Sequence, residues 1–172
     1  MIDLKDPKRP EMVEDVMKSI KKHEIKYAWL HFLDVNGILK SFGVRADRLE
    51  DILASGEGFD GSSITGYGVL EESDMVAVPD PSTFAIIPWR EPESAVARFI
   101  CDIYKPSFER YEGDQRFILK KQIDRAANLG YTYFAAPEME FFWLKPDPGS
   151  VPTESDMRGY FDADPGDTNQ IM

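Results

Sequence analysis

The 172-residue sequence has little cysteine, little histidine and no long apolar run. A single cysteine, Cys101, excludes an internal disulfide and is compatible with a reducing compartment. The two histidines, His23 and His31, have no cysteine or carboxylate at metal-ligand spacing. No stretch approaches the ~20 apolar residues of a membrane span, and the N-terminal MIDLKDPKRP lacks the apolar region of a signal peptide. These absences predict a cytoplasmic protein without a membrane partner.

Basic residues are also scarce relative to acidic ones. The chain has 31 acidic and 20 basic residues, which gives a net charge of -11. An acidic surface of this kind disfavours nucleic acid as a partner, because the phosphate backbone is itself an anion. No glycine-rich phosphate-binding fingerprint and no internal repeat is present.

The first part of the chain predicts a helix and a mostly antiparallel sheet. Pro10 begins a helix that ends near His23, with one apolar face. A short helix over residues 48–54 is expected to have Asp47 as its N-cap and Gly56 as its stop. Strands are predicted at residues 26–34 and 38–44, which form a hairpin, and at residues 76–79, 84–89 and 95–104.

The second part of the chain has a different pattern. Residues 114–129 predict a helix closed by Gly130, and residues 131–144 predict a long strand. Proline, glycine and charge concentrate in residues 105–113, so we expect one domain over residues 1–108 and a second over 109–172. The tail from Lys145 is dominated by Pro, Asp, Gly and Ser, which is typical of an unfinished second domain.

Two glutamates, Glu138 and Glu140, interrupt the aromatic run AAPEMEFFWL. On a strand, their spacing would place both carboxylates on one face. Burial of like charges this close is costly unless the carboxylates are protonated or a cation neutralises them, and oxygen ligands suit Mg²⁺ or Mn²⁺. The alternative interpretation is that both glutamates lie on a solvent-facing strand and are not metal ligands.

A loop rich in small residues follows the short helix and contains Asp60-Gly61-Ser62-Ser63. An aspartate in such a loop can accept a proton or bind a cationic substrate. Ordinary turn chemistry explains the same residues equally well. The loop is therefore either a connector or a tight functional loop.

Five segments, taken in order, resemble the N-terminal part of type I glutamine synthetase. They are FDGSSITGYGVLEESDM (residues 59–75), DPSTFAIIPWR (80–90), AVARFICDIYKP (95–106), GDQRFILKK (113–121) and APEMEFF (135–142). The resemblance implies an α+β fold: an N-terminal β-grasp domain, followed by the first helix and strand of an incomplete catalytic barrel.

The resemblance also implies a chemistry and its residues. The family joins ammonia to L-glutamate at the expense of ATP, through a γ-glutamyl phosphate, with Mg²⁺ or Mn²⁺ as cofactor. Glu138 and Glu140 match metal-binding glutamates, and Asp60 matches the loop aspartate that helps to bind and deprotonate ammonium. Ser63 and Tyr160 match the ammonium pocket. Other copies of the chain are expected as partners, because in this family the β-grasp domain completes a neighbour's site within a double-ring dodecamer.

Departures from the family pattern limit what the resemblance implies. The family's later ligand-bearing segments are missing, so we expect a fragment that is inactive by itself. Val69 stands where some relatives have an arginine linked to feedback inhibition, and Gln115 where relatives often have proline. Two alternatives stay open: a non-catalytic β-grasp binding module, and a γ-glutamyl ligase that uses an organic amine.

Overall fold

The computed structural model describes residues 6–67, 73–141, 144, 145, 149 and 153. The chain divides into two compact units, Met1–Tyr133 and Phe134–Met172. All the helices and strands named below lie in the first unit. The domain boundary expected between residues 108 and 109 stays a prediction.

The described residues form three helices and six strands. The helices are α1 (Arg9–Lys22), α2 (Leu49–Ser55) and α3 (Gln115–Asn128). The strands are β1 (Tyr27–Leu33), β2 (Leu39–Arg45), β3 (Glu57–Asp60), β4 (Asp74–Pro79), β5 (Ala85–Ile86) and β6 (Val96–Tyr104).

The strands form one sheet in the order β2-β1-β6-β4-β3, and β5 also pairs with β6. β1 and β2 form the predicted antiparallel hairpin, with Leu30 opposite Phe42. β1 and β6 lie side by side in parallel, with Leu30 opposite Phe99. The remaining pairs are antiparallel. The expected α+β class and the mostly antiparallel sheet are confirmed.

The core lies where α1 and α2 pack on the sheet. Alternate residues of β1 are buried, and Ala28 and Leu30 have no exposed surface. They form one cluster with Val16 and Ile20 of α1 and with the buried apolar face of α2. Burial of one such large apolar side chain contributes about 1.5–3 kcal/mol. Cys101 is 1% exposed, as expected of a small apolar residue in the core.

A buried arginine fixes α1 to the rest of the domain. Arg9 is 6% exposed, and its Nη2 donates hydrogen bonds to the carbonyls of Leu53 (2.6 Å) and Pro79 (3.0 Å). These acceptors stand near the end of α2 and at the end of β4. One guanidinium therefore joins three elements.

Two local predictions were wrong in detail. Asp47 does not cap α2, because residues 46–48 form a separate 3₁₀ turn and Asp47 pairs with Arg45 instead. The strand expected over residues 84–89 is only Ala85–Ile86, since Pro88 has no N–H for a sheet ladder. The predicted Gly56 stop is confirmed: its φ is +78°, and its N–H donates to Ile52 O at 2.8 Å.

The long strand predicted over residues 131–144 was also wrong across its described part. Residues 131–141 have no regular secondary structure and are exposed. A strand needs a neighbour for its ladder hydrogen bonds, and none of the described strands pairs with this segment. The preceding helix α3 and its Gly130 cap are confirmed, with φ at +83° for Gly130.

Candidate functional site

Asp60 lies at the end of β3, where the chain enters a 3₁₀ turn over Gly61–Ser63. Its Oδ1 accepts two hydrogen bonds, from the Ser62 amide at 2.8 Å and from Ser62 Oγ at 2.6 Å. Both bonds reach the same oxygen, and the Asp60 side chain is exposed. The second oxygen, Oδ2, has no hydrogen bond from the described residues, so it can accept one from a ligand.

Hydrogen bonding also sets the charge of Asp60. The Ser62 hydroxyl, followed by the Ser62 amide, lowers the pKa of Asp60 below its ordinary value, against a weaker opposing effect of desolvation. The carboxylate is therefore ionised at neutral pH. Asp60 presents a fixed negative charge at the surface, which suits a cationic ligand.

The Asp60 loop, residues 60–67, is tightly packed at Gly61. Gly61 is buried, and its N–H donates to Ser73 O at 2.6 Å. A Cβ placed on it would lie 2.8 Å from Met75 Cγ and 3.0 Å from Ser73 O. Only glycine lets the loop lie this close to β4.

The far end of the Asp60 loop is anchored at Gly66 and Tyr67. Gly66 has φ at +83°, and a Cβ there would approach Val35 Cβ to 2.6 Å. Tyr67 is 6% exposed, and its hydroxyl donates to Leu33 O at 2.7 Å. Burial raises the pKa of Tyr67, so the hydroxyl keeps its proton for this bond. Of the two interpretations of the loop, the structure therefore favours a tight, fixed loop over a slack connector.

A buried carboxylate fixes the turn of the β1–β2 hairpin, whose Val35 lies beside Gly66 of this loop. Asp34 is 1% exposed, and its Oδ1 accepts from the amides of Asn36 and Ile38, both at 2.9 Å. Lys40 Nζ lies 3.2 Å from Oδ2. Burial opposes ionisation of Asp34, but these contacts outweigh it and its pKa is lowered. Sequence reasoning missed the role of Asp34, although an aspartate before Asn-Gly is a signal for such a turn.

The other residues of the expected ammonium pocket are Ser63 and Tyr160. Ser63 is exposed on the same turn as Asp60. Tyr160 lies outside the described residues. The structure therefore brings Asp60 and Ser63 onto one exposed turn.

Glu138 and Glu140 lie in the segment without regular structure, and both are exposed. Their carboxylates have the donor chemistry that Mg²⁺ and Mn²⁺ prefer. Among the described residues, however, no group of three or more His, Cys, Asp or Glu is arranged to hold a metal ion. The two glutamates thus fit part of a donor set, and a complete site needs further ligands.

Sequence reasoning missed a second group of charged side chains, between β6 and α3. Asp80, Asp102 and Asp114 are buried, at 3%, 3% and 1% exposure. Asp102 interrupts the apolar run between Cys101 and Ile103, which is a signal that a cationic partner covers it. Arg116 and Lys120, one helical turn apart, are those partners.

Within the part of the chain that the structure describes, none of the helices has the length and apolar character needed to cross a membrane.

Comparison with known proteins identifies relatives for most of the chain. Residues 24–106 match the family model of the glutamine synthetase β-grasp domain. Glutamine synthetase of Methanosarcina mazei is 43% identical over 159 residues, which is 91% of this chain and 36% of the relative. Glutamine synthetase of Mycobacterium tuberculosis is 43% identical over 153 residues, 87% of this chain and 34% of the relative. The chain therefore spans about a third of the length of these relatives.

Solved structures show the same fold. A cryo-EM structure of Plasmodium falciparum glutamine synthetase aligns with a TM-score of 0.62 and 24% identity, over 76% of this chain and 24% of that one. A GmaS/ADP complex aligns with a TM-score of 0.60 and 24% identity, over 67% of this chain and 26% of that one. Together with the matched β-grasp model, the sequence relatives show that this chain belongs to the glutamine synthetase family, as a portion from its N-terminal region.

Proposed function

We propose that this chain is part of an ATP-dependent glutamate–ammonia ligase, in which Asp60 binds ammonium and accepts its proton. The observation that carries the proposal is the fixed, ionised and exposed Asp60 carboxylate, on a loop packed at both ends. Family membership supplies the reaction class. ATP, L-glutamate and ammonia are the proposed substrates, and a cytoplasmic location stays a prediction.

The reaction has two steps that balance in atoms and charge. The γ-carboxylate oxygen of glutamate attacks the terminal phosphorus of ATP, and ADP leaves. Ammonium then gives a proton to a carboxylate, and the ammonia nitrogen attacks the γ-carbonyl carbon. The tetrahedral adduct passes a second proton from nitrogen to a phosphate oxygen as the C–O bond breaks and phosphate leaves.

Asp60 suits the second step of this reaction. Its Oδ1 is held by Ser62, which leaves the lone pairs of Oδ2 available to a ligand. A carboxylate with a lowered pKa binds the ammonium cation well and is a weak base. Its main contribution is therefore to bind and orient ammonium, which must lose one proton before its nitrogen has a lone pair for the attack. Ser63 and Tyr160 are proposed to complete the ammonium pocket.

Glu138 and Glu140 are proposed to hold Mg²⁺ or Mn²⁺, together with further ligands. A divalent cation bound there would neutralise charge on the phosphates. The support is the oxygen donor chemistry and the match to family glutamates. Because this chain spans about a third of its relatives' length, we expect the isolated 172-residue chain to have no ligase activity. We also propose that other copies of the chain are its partners.

The test uses the full-length polypeptide encoded by the reading frame that contains this sequence. Phosphate release is measured with ATP, L-glutamate and ammonium, each withheld in turn. Asp60→Asn should lower kcat/KM for ammonium by about 10²–10⁴-fold, while formation of γ-glutamyl phosphate is retained. Glu140→Ala should raise the Mn²⁺ concentration for half-maximal activity by about 10–100-fold, as loss of a ligand weakens the site.

Asp47→Asn is the matched control, because Asp47 is also an exposed aspartate in a turn whose pKa is lowered by hydrogen bonding. It should leave both kinetic parameters unchanged. Equal ammonium kinetics in the Asp60→Asn and Asp47→Asn enzymes would refute the ammonium role. Turnover with organic amines but not ammonium would assign the chain to the other class of γ-glutamyl ligase, and absence of any ATP turnover would favour a binding module.

A further inference from the structure

Helix α3 is unusual because none of its residues is buried. Its largest aliphatic side chains remain 42–54% exposed, as measured for Ile118, Leu119 and Ile123. Most helices of this length are held by an apolar face packed on the core. Apolar burial does not explain why α3 lies against β1 and β6.

Ionic contacts join α3 to β6 instead. The carboxylate of Asp102 accepts from Arg116 Nη1 at 3.2 Å and from Lys120 Nζ at 2.8 Å. Arg116 Nη2 also donates to Asp80, in the turn that follows β4. The side chains of Asp80 and Asp102 are only 3–4% exposed, so these pairs are screened little by solvent. We name these four residues the α3 clamp: Asp80, Asp102, Arg116 and Lys120.

Two more side chains extend the clamp at its edge. Asp114, the N-cap of α3, accepts from the Arg116 amide and from the Ile103 amide of β6, both at 3.1 Å. Arg110 Nη1 lies 3.1 Å from Asp102 Oδ2, and its guanidinium stacks over Tyr104 and Phe117. Two buried carboxylates, those of Asp80 and Asp102, therefore pair with three cations, whereas Asp114 is bound by backbone amides. Loss of Asp102 removes the carboxylate that Arg110, Arg116 and Lys120 share.

Helix α3 lies close in sequence to the candidate metal ligands. Only residues 129–137 separate the end of α3 from Glu138. Gly130 closes the helix with a tight C-terminal turn, in which the Tyr131 amide donates to Ala126 O at 2.9 Å. The place where α3 ends is therefore the starting point of the segment that carries both glutamates.

We propose that the α3 clamp is a positioning device: it holds α3 on the sheet by buried ion pairs and so fixes the start of the segment that carries Glu138 and Glu140. The second half of this proposal rests on the proposed metal role of those glutamates. Asp102, which contacts both clamp cations, is the central positioning residue.

The first test follows amide hydrogen exchange in the 172-residue chain. Asp102→Asn should raise exchange in α3 by about tenfold or more, while exchange in β1 stays within about twofold of the parent chain. Lys120→Met, a milder change, should raise α3 exchange by a smaller factor, and it decides the question if Asp102→Asn does not fold.

Glu57→Gln is the control, because it breaks the more exposed Arg48–Glu57 pair, 2.9 Å long, in the same unit. Unchanged α3 exchange in Lys120→Met, or an equal rise in β1 and α3, would overturn the clamp.

The second test measures metal dependence in the full-length enzyme. Lys120→Met should raise the Mn²⁺ concentration for half-maximal activity about threefold or more, and Lys120→Arg, which keeps the cation, should restore it. If Lys120→Met raises amide exchange in α3 but leaves the Mn²⁺ concentration for half-maximal activity unchanged, the positioning role is wrong. A parent enzyme without ligase activity would refute the proposed function, whereas the exchange result on the clamp would stand.

Discussion

Gly61 shows how one residue fixes the position of the candidate base. The hydrogen on its Cα faces Met75 and the carbonyl of Ser73, and there is no room for a methyl group. Gly61→Ala should lower the free energy of unfolding by about 1–3 kcal/mol, because the loop must move away from β4. Urea unfolding at neutral pH measures the change.

Gly58→Ala provides the control for that prediction. Gly58 lies in the same strand-loop segment, and the nearest atom to an added Cβ is Met75 O at 4.0 Å. We expect little or no loss of stability in this variant. Equal losses in Gly58→Ala and Gly61→Ala would show that the close contact at Gly61 is not the cause.

The residue scale is also where the sequence predicts the site best. The residues Asp60-Gly61-Ser62-Ser63 were sufficient to predict a turn, and the structure has one there, with Asp60 at its start. The functional role of Asp60 and Ser63 stays a prediction. The supporting residues Asp34 and Tyr67 were not predicted. The role of Tyr67 depends on its contact with Leu33, far along the chain, which a local pattern does not contain. The contacts of Asp34 are local, within the turn that it begins.

At the scale of elements, Asp80 joins the turn after β4 to α3. Burial alone would raise the pKa of Asp80, but hydrogen bonds from Ser82 and Arg116 outweigh it and hold the pKa below its ordinary value. An unfolded aspartate titrates near pKa ~3.9, so the unfolded chain takes up this proton first as the pH falls. The stabilisation by Asp80 is complete above that pKa and is lost as the pH falls through the folded value.

Asp80→Asn should therefore be less stable than the parent chain at pH 7, and the difference should narrow below about pH 4. Denaturant unfolding at a series of pH values measures it. Asp124→Asn, a change of an exposed aspartate on α3, is the control and should follow the parent curve. A difference between Asp80→Asn and the parent that stays constant down to pH 2 would contradict the assignment.

Elements with strong local signals could be predicted, and those that depend on a distant partner could not. Pro10, the apolar face of α1, Gly37 at the hairpin turn and Gly130 after α3 each act within a few residues. The parallel pairing of β1 with β6 is not encoded locally, because the two strands are separated by residues 34–95. The failure of the strand over residues 131–141 has the same origin: its apolar pattern was present, but no described strand pairs with it.

At the scale of the whole molecule, every described member of the core cluster lies in the first compact unit. A chain that ends at Tyr133 should therefore fold, with a Tm within about 4 °C of the 172-residue chain. Differential scanning calorimetry of both chains measures the difference.

Phe99→Ala in both chains serves as the control for the truncation. Phe99 is fully buried, and its loss should cost about 3–5 kcal/mol in either background. A much lower Tm in the 133-residue chain, or a different cost of Phe99→Ala in the two chains, would show that residues after Tyr133 stabilise the core.

The parallel contact between β1 and β6 also sets the order of events during synthesis. β1 emerges from the ribosome early, but its neighbour at Val96–Tyr104 is translated only after β2, β3, β4 and β5. The β1–β2 hairpin is marginally stable by itself, and the edge of β1 that pairs with β6 has no strand partner until β6 is made. The pairing of β1 with β6 is thus a late step that closes a long loop. We expect nascent chains that stop before residue 104 to aggregate more readily than longer chains.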